Sequence, residues 1–135
     1  MKEQLITFET AKLAKEKGFD IPIQHTVNKQ NLVYSEYSKD LVKMIDTNVV
    51  DNWNDPKFIE ICSAPTQSLL QKWLREVHKI NLVPDCMWIK GGYECTGYDL
   101  NNENKEIISL TKYGKYPTYE EALEAGLQEA LKLIS

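Results

Sequence analysis

Three cysteines and two histidines carry most of the chemical capacity of this 135-residue chain: Cys62, Cys86, Cys95, His25 and His78. Cys62 ends the alternating run Lys57-Phe58-Ile59-Glu60-Ile61, which predicts a short strand, and Ser63-Ala64-Pro65-Thr66 then reads as a helix entry. A thiol where a strand feeds a helix can be activated by the positive helix end. A phosphatase-type loop would place arginine six residues on, where Ser68 stands. A Cys–His couple would need His25 or His78 brought close in space, and His78 sits at the edge of an apolar stripe, an ordinary place for a structural histidine. Cys62 is therefore expected to be a core thiol, and an enzyme built on it ranks third among the functional readings. No Cys-x2-Cys or His-x3-His pair is present, so no metal site is expected. Gly91-Gly92 lacks the neighbours of a phosphate-binding loop and reads as a hairpin turn, leaving no cofactor implied. The pairs Glu120-Glu121 and Glu103 with Glu106 serve solubility and the helix dipole. No catalytic residue is assigned.

Aromatic residues gather in the C-terminal half: Trp88, Tyr93, Tyr98, Tyr113 and Tyr116, with Lys90, Lys105, Lys112 and Lys115 nearby. On an open sheet such residues can stack unpaired bases, and they are equally good anchors for a protein partner. They are also ordinary strand formers that fill a half-buried face. Tyr93 and Tyr98 are an odd number apart, so a regular strand points them to opposite faces. Asp85, Glu94, Asp99, Glu103 and Glu106 cancel the local positive charge. Trp88, Tyr93 and Tyr98 are the candidate binding residues.

The elements that must position these residues can be read in turn. Thr7 caps a helix reaching Lys17, Gly18 suits the left-handed position after it, and Phe19 is the apolar residue that follows. The apolar residues of that helix do not share one face, which places it on the surface of something larger. From Asp20 to Asp55 the pattern is ambiguous: Ile21-Pro22-Ile23 is extended, Leu32-Val33-Tyr34 suits a strand, and Leu41–Ile45 fits strand or helix. Asp51–Pro56 reads as a loop. A core helix follows Pro65 and runs to Lys79, with Leu69, Leu70, Trp73, Leu74 and Val77 on one face. Leu82–Ile89, Tyr93–Leu100 and Ile107–Thr111 form a meander. A last helix starts at Thr118, which with Glu121 fits a capping box, and buries Tyr119, Leu123, Leu127, Leu131 and Ile134. The expected fold is one α+β domain over residues 1–135, a largely antiparallel sheet with about three helices mainly on one face.

Composition bounds the class of partner. Sixteen Lys+Arg against 20 Asp+Glu leave a net charge of −4, without the basic footprint of a duplex or anionic-lipid binder. No run approaches the roughly twenty apolar residues of a membrane span, and the first residues lack the apolar core of a secretory signal. An odd set of three cysteines suits a reducing compartment, and the cytoplasm is expected.

Three segments, ITFETAKLAKEKGFD (6–20), CSAPTQSLLQKWLREVHKI (62–80) and PTYEEALEAGLQEALKLI (117–134), resemble a group of small uncharacterised proteins encoded by phages and prophages of anaerobic gut bacteria. The resemblance covers about fifty residues and implies an accessory protein working inside a bacterial host; it carries over no site residue. The leading expectation is thus a non-enzymatic protein that binds a host or phage protein, or a second copy of itself. The alternative is single-stranded nucleic-acid binding through the aromatic-rich C-terminal sheet.

Overall fold

The computed structural model describes residues 4–22, 31–44, 53–56, 61–86, 91–110 and 116–134. Its elements run α1 (Phe8–Glu16), β1 (Asn31–Ser35), β2 (Leu41–Met44), β3 (Ile61–Ser63), α2 (Gln67–Val77), β4 (Ile80–Cys86), β5 (Tyr93–Asp99), β6 (Lys105–Leu110) and α3 (Tyr119–Leu133). They fall into two units, Leu5–Pro65 and Met1–Gln4 with Thr66–Ser135. The architecture is α+β, as the pattern of elements predicts, with three helices among the described residues. The strands form two antiparallel sheets, ordered β2-β1-β3 and β4-β5-β6, where one was expected.

In the first unit, local chemistry sets both ends of α1. Thr7 Oγ1 accepts from the Thr10 amide at 3.4 Å, relieving one of the orphan donors of the first turn. At the other end Gly18 takes φ +93°, and Phe19 N donates to Ala14 O at 2.9 Å while Gly18 N donates to Lys15 O at 3.2 Å. Those paired bonds are a Schellman stop, and they turn Phe19 into the core, where it is 1% exposed. Only Thr10, Ala11 and Ala14 of α1 are buried, in keeping with its broken apolar stripe.

Residues 31–44 of the ambiguous stretch form a hairpin. β1 and β2 pair from Asn31↔Met44 to Tyr34↔Leu41, so Leu41–Met44 is strand rather than helix. Ser35 Oγ accepts from the amides of Tyr37 and Ser38, each at 3.2 Å, and Lys39 takes φ +63°. β3 pairs with the far side of β1 through Tyr34↔Cys62. Asn54 stitches the loop to its neighbours: its Nδ2 donates to Phe19 O at 2.8 Å, and its Oδ1 accepts from Ser63 N at 2.9 Å. One amide side chain thereby holds the loop, the end of α1 and β3 together.

In the second unit α2 is capped by Thr66, which accepts from Leu69 N at 3.2 Å, and α3 by Thr118, which accepts from Glu121 N at 3.1 Å. β4 and β5 pair without interruption from Ile80↔Asp99 to Cys86↔Tyr93. Gly91 and Gly92, at φ +71° and +78°, precede β5, and Glu103 and Asn104 turn β5 into β6 at φ +50° and +57°. A bulge between Gly97 and Tyr98 shifts the β5–β6 register, leaving Tyr98 opposite Glu106 and Gly97 opposite Ile108. α3 packs across all three strands and α2 packs on β4 and α3. Leu70, Trp73, Leu74, Leu82, Cys95, Leu123, Leu127 and Leu131 make up most of that core.

Four expected core residues are not fully in it, Leu69 and Ile134 being half-buried. Val77, the last residue of α2, is 55% exposed, and Tyr119, the first of α3, is 43% exposed. Both continue the right helical stripe at the end of a helix, where its neighbours cover it only in part. The small residues Ala122, Gly126 and Ala130 are buried instead, because α3 lies close to the sheet. Among the described residues no helix is long and apolar enough to cross a membrane.

Candidate functional site

Cys62 lies in the three-residue strand β3 and is fully buried. Burial pushes its thiol up to about 11, the Glu36 carboxylate pushes the same way, and Lys15 and Lys12 pull weakly against them. Lys15 is largely committed elsewhere, with Nζ 3.1 Å from Glu36 Oε1 and donating to Ile61 O at 2.8 Å. The helix that would activate the thiol begins at Gln67, five residues along the chain from Cys62, after the expected entry Ser63-Ala64-Pro65-Thr66. Such a thiol is protonated at neutral pH and has no approach from solvent, the opposite of a nucleophile.

The other ligand-type residues are dispersed. Cys86 is exposed at the end of β4, whereas Cys95 is buried beneath α3 with its thiol likewise pushed up to about 11 by burial. His78 caps the end of α2, its ring edge-on to Trp73 at 4.6 Å, and burial lowers its pKa. His25 lies outside the described residues. Among the described residues no three His, Cys, Asp or Glu side chains gather in a way that could hold a metal ion.

The aromatic residues separate as the strand parity requires. Tyr93 lies on the parity of Cys95 and Gly97, the side that α3 covers, and its ring meets Tyr119 edge-on at 6.3 Å. Its backbone also pairs with Tyr116, Tyr93 N donating to Tyr116 O at 2.7 Å. Tyr98 stands on the opposite side of β5. Trp88, Tyr113, Lys90, Lys112 and Lys115 lie outside the described residues, and Lys105 pairs with Asp99 on the parity of Tyr93. Within the described residues, then, Tyr93 and Tyr98 do not form one stacking platform.

What the structure does assemble is the face of the β4–β5–β6 sheet turned away from α3. The register builds it in rows: Asn81, Tyr98 and Glu106; then Val83, Thr96 and Ser109; then Asp85 and Glu94. Val83 is 38% exposed, Tyr98 and Thr96 are half-buried, and Asp85, Glu106 and Ser109 are exposed. The described side chains of this face include three carboxylates and no lysine or arginine. Asp85 and Glu94 stand directly opposite one another, a like-charge cross-strand pair that costs the sheet stability. Tyr98 was a sequence candidate; Val83 was not. Its signal was the alternation Leu82-Val83, which identifies an outward valine only once the strand frame is known.

The chain matches no protein-family model, no curated protein and no solved structure.

Proposed function

We propose that this chain is a non-enzymatic accessory protein of phage or prophage origin, acting in the cytoplasm of a bacterial host by binding another protein through the open face of the β4–β5–β6 sheet. The observation that carries the reading is Tyr98, with Val83 beside it, on the sheet face turned away from α3. An aromatic anchor on a partly polar surface is the usual core of a protein interface. The phage origin rests on the resemblance of the three segments, which contain the three helices. Three free thiols are in keeping with a reducing cytoplasm. Single-stranded nucleic acid fits the same face less well: Tyr98 lacks Tyr93 beside it, and Asp85, Glu94 and Glu106 repel phosphate.

Affinity capture of the tagged chain from nuclease-treated host lysate tests this reading, with Tyr98→Ala and Val83→Ser run beside the wild type. A stoichiometric protein retained by the wild type and lost by at least about tenfold with Tyr98→Ala is expected, at unchanged melting temperature. Equal capture by both variants would remove the face from consideration. Recovery that disappears with nuclease would transfer the function to nucleic acid.

A further inference from the structure

Resting on that reading, we infer that the partner of the open sheet face is an extended, basic polypeptide segment with an apolar residue between its positive charges. The chemistry of the face selects among occupants. Its described charges, Asp85, Glu94 and Glu106, are all negative, so a nucleic acid meets repulsion. A second copy docking face to face would oppose the same carboxylates and is disfavoured for the same reason. A basic polypeptide is the macromolecule whose charge complements them.

The spacing adds a pattern. Glu94 and Tyr98 lie four residues apart on β5, roughly 13 Å along an extended strand. The carboxylates thus fall into two groups, Asp85 with Glu94 at one end and Glu106 beside Tyr98 at the other, with Val83 in the row between. A segment lying extended along β5 turns every second side chain to the sheet. It matches the face when basic residues at one position and at the fourth after it flank an apolar residue at the second. Lysine or arginine then meets each acidic row, and the apolar residue covers Val83 against the Tyr98 ring. The unfavourable Asp85–Glu94 opposition is relieved when a cation sits between the two carboxylates.

The probe is a labelled peptide of repeating Lys-Ser-Leu-Ser, followed by fluorescence anisotropy against the full chain, with the same peptide carrying Glu in place of Lys as its counterpart. The Lys peptide is expected to bind at least about tenfold more tightly than the Glu peptide, and about tenfold less tightly in high salt than in low. Asp85→Lys with Glu94→Lys should lower affinity by about tenfold, and Glu106→Lys alone by a few-fold. Glu16→Lys with Asp20→Lys changes net charge equally at exposed residues of the other unit and should leave binding within about twofold. Equal losses in the two double variants would reduce the effect to net charge and overturn the proposal; so would a Lys peptide that binds no better than its Glu counterpart. If the peptide fails while lysate capture still depends on Tyr98, the face stands and its basic partner falls. If both fail, the face falls as well.

Discussion

A single thiol shows how much burial decides. By sequence Cys62 has the neighbourhood of a nucleophile, ending a strand just before a helix entry. In the folded chain it is fully buried in β3, beside β1, with its pKa pushed up to about 11, and Cys95 is raised to a similar value under α3. Cys86 alone is exposed. Titration with a thiol-specific disulfide reagent at neutral pH should therefore modify one cysteine promptly in the native protein, and all three in denaturant. Mass spectrometry should place the fast site at Cys86. Fast modification of Cys62 would reopen the enzyme reading. Ser63, next in the chain, has a buried hydroxyl without a hydrogen-bond partner among the described residues. Left unpaired, that hydroxyl costs the fold about 1–3 kcal/mol of desolvation.

Helices and strands carry the next level of consequence, since their close approach and pairing are set by small residues and by charge. Gly126 is buried in α3, and a Cβ there would overlap Cys95 Sγ on β5, crowd Cys95 Cβ and only touch Leu82. Alanine is normally the better helix former by about 1 kcal/mol, so an exposed glycine would gain from the change. Here overlap should win, with Gly126→Ala destabilising by about 1–3 kcal/mol in urea unfolding. Adding Cys95→Ala should recover part of that loss, and a Gly126→Ala chain as stable as the wild type would show that the helix can move away. Strand pairing makes a prediction of opposite sign. Removing one charge of the opposed Asp85–Glu94 pair, as in Glu94→Gln, should stabilise the second unit by about 0.5 kcal/mol. The same change should weaken partner capture. A gain in stability with a loss of binding is what a functional charge pair gives; a pair that matters to neither would leave both unchanged.

At the level of the whole molecule, the two buried thiols link stability to pH. Both have pKa values raised from 9.0 to about 11, so the folded chain holds these protons more tightly than the unfolded chain. Their contribution is fully present below about pH 9, erodes as pH rises towards about 11, and is gone above it. The effect is on the order of 2 kcal/mol per thiol. Urea midpoints measured across this alkaline range should fall more steeply for the wild type than for Cys95→Ala, whatever their difference at neutral pH. Parallel slopes would mean that Cys95 ionises as freely folded as unfolded.

The amino-acid sequence alone determined the local events. Thr7, Thr66 and Thr118 cap helices because their hydroxyls reach nearby amides, Gly18 stops α1 because it accepts φ +93°, and the odd spacing of Tyr93 and Tyr98 separates their rings across β5. Each depends on residues a few positions apart. Tertiary structure alone decided the rest. Which strands pair is a choice among distant partners, so residues 31–44 of the ambiguous stretch became a hairpin joined to β3 in a sheet of its own only when those partners met. Val77 and Tyr119 follow the apolar stripe yet lie at helix ends, where neighbours cover them only in part. The acidic open face likewise exists only through register, because Asp85, Glu94 and Glu106 come from three strands that backbone hydrogen bonds bring side by side.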